Sequence, residues 1–170
     1  MERSNLKELK GRWAAGAFFN RLVDTNRLAQ ECGFKFCMCS GLEGFEQALN
    51  EMLYTTAFVC VSDTSDGYME INNSPHTRRV KTVFLAMRHS VEDMSERVYC
   101  MDTMRELFRQ FMSRLLLEKT RLEQNNIYLD SRIAFTEIDR YFFSGCACAY
   151  FQIAVDVYTD LRVNEDEWCE

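Results

Sequence analysis

The side chains best suited to chemistry in this 170-residue sequence are its eight cysteines and two histidines. Four of the cysteines form two C-x-C pairs, Cys37-Met38-Cys39 and Cys146-Ala147-Cys148. On an extended strand residues i and i+2 share a face, so each pair offers two thiols to one side. If the two strands were neighbours, four thiolates could meet in the tetrahedral arrangement that zinc takes. C-x-C on a flat strand holds a metal less conveniently than a C-x-x-C knuckle. Free cysteines of a reducing compartment also behave mostly as small buried hydrophobes. Buried, reduced thiols are therefore the expectation, and zinc is the alternative that a metal analysis would decide.

His76 and His89 would need a serine or cysteine nucleophile and a carboxylate in line to act as catalytic bases. No nucleophile-elbow sequence surrounds any serine or cysteine, so both read as loop or strand-end residues. Asp63-Thr64-Ser65-Asp66-Gly67 resembles a calcium loop only superficially. It lacks the ligand spacing and the closing glutamate, and Asp-Gly reads instead as a hairpin turn. There is no G-x-G-x-x-G and no G-x-x-x-x-G-K-[ST], so nucleotide binding has no support. No residue is therefore expected to be catalytic, cofactor-binding or metal-ligating, and neither a cofactor nor an enzyme is expected.

Charge gives a different kind of candidate. Arg78, Arg79, Lys81 and Arg88 fall within His76–His89, inside a chain of net charge −6. Solvated strand ends are the plain reading. The sharper one is a positive patch for an acidic neighbouring subunit, with Asp160, Glu165, Asp166 and Glu167 as complement. Trp168 would be an intersubunit anchor; packing within its own subunit or a loose terminus are the alternatives.

These residues need elements to position them. Residues 5–31 read as helix with a break near Gly16, and Gly33 as its stop. Residues 34–40 read as a strand, 42–54 as a helix, and 55–62 as a strand. A turn at Asp66-Gly67 then leads into a strand from Tyr68 to Ile71. Arg78–Arg88 reads as a central strand covered on both faces, because Val80, Val83, Phe84, Leu85 and Met87 leave no polar face in its middle. Ser90–Asp93 resembles a helix cap. The main helix runs over 97–122 with Met101, Met104, Phe108, Phe111, Leu115 and Leu116 in one stripe. Strands over 132–142 and 147–161 close the chain across Ser144-Gly145. In the last, Phe151, Ile153, Val155, Val157 and Leu161 alternate with polar residues, as in a half-buried antiparallel strand. The order is α-β-α-β-β-β-α-β-β. The fold class expected is α+β: a mostly antiparallel sheet packed by a long helix and an N-terminal helix, with a closing C-terminal β-hairpin. One domain is expected over 1–170, divided into an N-terminal helical arm (1–33), a sheet-helix core (34–163) and an acidic tail (164–170).

Composition is consistent with this. Hydrophobic residues make up 47% of the chain, enough for a core without disulfides or metals. The acidic balance argues against a dedicated duplex-DNA binder, so no sequence-specific nucleic-acid partner is expected. No run approaches the roughly 18 apolar residues of a membrane span, and the first residues lack a signal-peptide core. Folding in a cytoplasm is the expectation.

The whole layout resembles the tail-terminator or tail-completion proteins of tailed phages. The features that carry the resemblance are the turn at Asp66-Gly67, the strand Arg79–Leu85, the helix around Met104-Arg105-Glu106-Leu107-Phe108, and Tyr150–Val157 followed by Asn164–Trp168. The strand and helix between Phe34 and Leu53 depart from that pattern. The resemblance implies a virion protein assembled in the host cytoplasm. Its copies would form a closed ring, commonly a hexamer, that caps the tail tube and joins it to neck or connector proteins. Identical copies would adhere through sheet rims and opposite charges. Another head-tail connector, or a small-ligand-binding regulatory domain with a pocket between sheet and helix, are the alternatives.

Overall fold

The computed structural model describes residues 13–138 and 145–169. Within them the chain forms α1 (Ala15–Thr25), α2 (Arg27–Glu31), β1 (Phe34–Cys39), α3 (Gly41–Glu51), β2 (Ala57–Ser62), β3 (Asp66–Glu70) and β4 (His76–Arg88). These are followed by α4 (Met94–Glu123), β5 (Ile127–Leu129), β6 (Ala134–Glu137) and β7 (Cys146–Tyr158), then a 3-10 turn at Glu165–Glu167. The strands make one seven-stranded sheet, ordered β1-β2-β4-β7-β5, with β3 also on β4 and β6 also on β7. Only β1–β2 is parallel; the other pairings are antiparallel. The fold is α+β, as the periodicities imply.

β4 and β7 form the centre, paired over their full lengths from His76↔Tyr158 to Arg88↔Cys146. Each carries a bulged partner on its outer side. Along β4, the register steps from Val61↔Val83 to Asp66↔Val80, so five steps of β2–β3 face three of β4. The same happens along β7 between Leu129↔Val155 and Ala134↔Gln152. Each pair of short strands is thus one strand interrupted by two extra residues.

This corrects two expectations. Asp66-Gly67 does not turn the chain back on β2; it resumes pairing with β4 after the bulge, and the hairpin lies at residues 71–75. Gly67 is needed there for a close approach: a Cβ would fall 1.9 Å from the Arg78 carbonyl oxygen. The strand expected over 132–142 is replaced by β5 and β6 as far as Glu137. Residues 139–144 lie outside the described residues, Ser144 of the closing turn among them. The N-terminal helix starts at Ala15, runs through Gly16 and has a further break at Asn26. The Asn26 side chain accepts from the Ala29 amide at 2.8 Å and so caps α2. Gly16 instead admits Met38, whose sulfur would lie 3.0 Å from an added Cβ. Residues 5–12 of that expected helix lie outside the described residues.

The main helix opens on Asp93, whose carboxylate accepts from the Ser95 and Glu96 amides at 2.9 and 3.0 Å. α1 and α4 cover one face of the sheet. Phe19, Met104, Leu107 and Phe111 pack there on Val59, Val83, Leu85, Phe151 and Ile153, all buried. On the second face α3 covers one end only, with Phe45 stacked on Phe84 at 4.6 Å over Phe58, Cys60, Cys146 and Cys148. Leu161 lies beyond the end of β7 and is exposed, unlike the rest of its alternating set.

Candidate interaction surfaces

The four cations do not form one patch. Arg78 and Arg88 sit near opposite ends of β4, about 33 Å apart at roughly 3.3 Å per residue. Arg88 is committed to α3: its guanidinium donates to the carbonyls of Leu49, Met52 and Thr55, closing that helix's C-terminus. Lys81 donates to the carbonyls of Ser62, Asp63 and Thr64, which ties down the first bulge. Arg78 pairs with Asp156 at 2.6 Å across the strands and with Asp130 in the second bulge. Asp130 is held below the usual carboxylate range by the Arg132 amide and by that guanidinium. Arg79 is exposed and makes no ion pair among the described residues.

Asp160 shares a cleft of about 770 Å³ with Arg78, Arg79 and Lys81, so this part of the expected charge pairing is brought together within one subunit. Its own partner is Arg162, at 2.6 Å, which draws its pKa down to about 2. The cleft also holds Asp63 and Asp66, so it is not strongly positive. Glu165, Asp166 and Glu167 make the 3-10 turn beyond it. Trp168 follows, 70% exposed, and among the described residues it packs on neither core cluster.

The thiols follow the sheet register. Cys37 lies directly opposite Cys60 and the two are joined by a disulfide, with Cα atoms 4.7 Å apart. The expectation of eight reduced cysteines is corrected for this pair. Cys60 lies outside any C-x-C pair, so spacing alone gave no sign of it. The strands of the two C-x-C pairs are separated by β2 and β4, so four thiolates do not converge. Among the described residues no three His, Cys, Asp or Glu side chains are placed to share a metal. Burial raises Cys39 to about 11. Cys148 is raised by its hydrogen bond with Cys146 and by burial.

Each histidine ring is engaged locally, His76 Nδ1 with the Ser74 carbonyl and His89 Nδ1 with that of Ser90. Among the described residues neither bonds a serine or cysteine side chain, and no nucleophile–base–carboxylate line results.

Two features are ones to which the sequence assigns no residues, although a pocket between sheet and helix is among its alternatives. The first is the half of the second sheet face that α3 leaves bare. The register aligns Tyr68, Arg78, Asp156 and Tyr128 in one row across four strands, with His76 and Tyr158 in the next. Tyr68, Tyr128 and Tyr158 are each about half exposed, at 56%, 47% and 52%. The second is an apolar cavity of about 270 Å³ between α4, β6 and β7. It is lined chiefly by Met101, Met104, Phe108, Phe135 and Phe151. Across its mouth Arg105 grips Glu137 with two hydrogen bonds, of 2.8 and 2.7 Å. The exposed Phe135 ring leans on Phe108 at 5.6 Å. Both features join residues distant in sequence, so only the register brings them together.

No protein-family model matches this chain, and no curated protein matches it.

Proposed function

We propose that this chain is a structural subunit that assembles with copies of itself, and that it acts as a tail-terminator or tail-completion protein of a phage-type tail. The bare tyrosine–arginine half of the sheet is the observation that carries the assembly reading. Tyrosine and arginine are the side chains most used as interface anchors, because they bury much area with little loss of side-chain freedom. Among the described residues no helix covers this half of the face, and exposed tyrosines in one row suit a surface for another protein. The terminator role rests on the resemblance in element order and on the closing strands. It is tested by mixing the purified chain with tail tubes: the ring reading expects a band at one tube end by electron microscopy and an arrest of tube growth. A chain that neither binds tubes nor assembles contradicts it.

The cavity beneath Arg105 and Glu137 supports a second reading, a domain that binds a small apolar molecule. Its size lies just below the roughly 300 Å³ at which ligand pockets begin. Native mass spectrometry of the purified chain separates the two, since a retained small molecule adds a fixed mass to each copy.

A further inference from the structure

Among the described residues the sheet has an open edge at β6, beside that apolar cavity, and the chain carries a segment that fits both. Ile138 donates its amide to the Cys148 carbonyl at 2.9 Å, which fixes the phase of the β6–β7 ladder. In an antiparallel ladder bonded and non-bonded residues alternate. Ala134 and Thr136 therefore face β7, and the N–H and C=O groups of Phe135 and Glu137 point outward. Their side chains are on the cavity side of the sheet, and both line the cavity. An incoming strand would gain backbone hydrogen bonds from these two residues and a socket for an alternate side chain, the requirements of strand addition.

Leu161 and Val163 are two residues apart, lie outside any helix or strand, and are 40% and 80% exposed. They cannot reach the cavity of their own subunit. The cavity touches β7 at Ala149–Phe151, about 23 Å back along the strand from Tyr158 at roughly 3.3 Å per residue. Leu161 is only three residues beyond Tyr158, a span of about 10 Å. The segment of a second copy is not bound by this limit.

We infer that the C-terminal segment Leu161–Val163 of one copy adds as a strand to the outer edge of β6 of another, placing one of its aliphatic side chains in the cavity between α4 and β6. This rests on the self-assembly reading above and names its contact. Set antiparallel with Leu161 opposite Glu137 and Val163 opposite Phe135, the segment carries the acidic turn at Glu165 and Asp166 alongside Arg132. Arg132 is exposed on the bulge, near Asp130 but in no salt bridge among the described residues, so the charges agree with the register.

The test compares the full chain with Leu161→Ser/Val163→Ser by light scattering, and adds a labelled peptide of residues 159–168. Both substituted residues are exposed, so the double variant keeps its fold, which its melting curve verifies. The expected result is an assembled wild type, a double variant whose half-assembly concentration rises about tenfold or more, and peptide binding to that variant. Phe135→Pro removes an outward N–H without breaking the β7 ladder, and is expected to abolish peptide binding. An assembled wild type whose double variant assembles equally well overturns this inference and leaves the assembly reading standing. A wild type that is monomeric at every concentration overturns both.

Discussion

An added methyl at Gly67 would lie 1.9 Å from the Arg78 carbonyl oxygen, so Gly67→Ala must push β3 away from β4. The expected loss is about 1–3 kcal/mol, as for other overpacked sites, read by urea unfolding; an unchanged midpoint would contradict the close approach. Sequence showed that a glycine mattered here but not why. Asp-Gly reads as a turn from local preference, and the reason for the glycine is a backbone lying on the next strand. Arg78 poses the same problem: it reads as an available cation until the register sets Asp156 and Asp130 beside it. Because Asp130 and Glu137 are held below their ordinary pKa values, their stabilisation is full above the usual carboxylate range. It is lost as pH falls through the depressed folded values, below about pH 4. Asp130→Asn is expected to flatten the acid limb of the stability–pH curve; a limb as steep as the parent's would exclude Asp130 as a contributor. The disulfide has a direct check as well. Alkylation of the denatured, unreduced chain is expected to label the six remaining cysteines, and labelling of all eight would exclude the Cys37–Cys60 bond.

At the scale of elements, α4 depends on Asp93 for its first turn. Asp93→Ala is expected to cost about 1 kcal/mol in a thermal or urea melt, the usual value of a helix cap. Arg88→Met removes the donor from three carbonyls, of Leu49 and Met52 at the end of α3 and of Thr55 in the loop after it. It should destabilise the chain by about 1–2 kcal/mol, the cost of leaving part-buried acceptors unpaired; full stability would show that water replaces the guanidinium. The long helix was legible to within a few residues because its apolar spacing persists over many turns. Its inner stripe was read less well: Leu107 is buried and Leu116 is 68% exposed. Over so long a helix the seam drifts, and neighbouring leucines cannot be ranked without the sheet they face. β4 was legible because its middle has no polar side. The bulges that divide β2 from β3 and β5 from β6 were not, since a bulge is a mismatch between two strands and neither strand records it alone.

For the whole molecule, the fold class and most of the element order followed from the sequence, while the split of the strand after α4 into β5 and β6 and the strand order did not. The bare tyrosine face, the apolar cavity and the outward amides of β6 all arise from that order, and together they make the assembly reading specific. The expected patch of Arg78, Arg79, Lys81 and Arg88 becomes a set of internal ties with Arg79 left over, so apolar and aromatic contacts carry more of the proposed association than charge. The most direct measurement of the central claim is the native mass of the full chain over a wide concentration range. The account predicts a discrete species at a fixed multiple of the 20.0 kDa subunit. A single 20.0 kDa species throughout would contradict it.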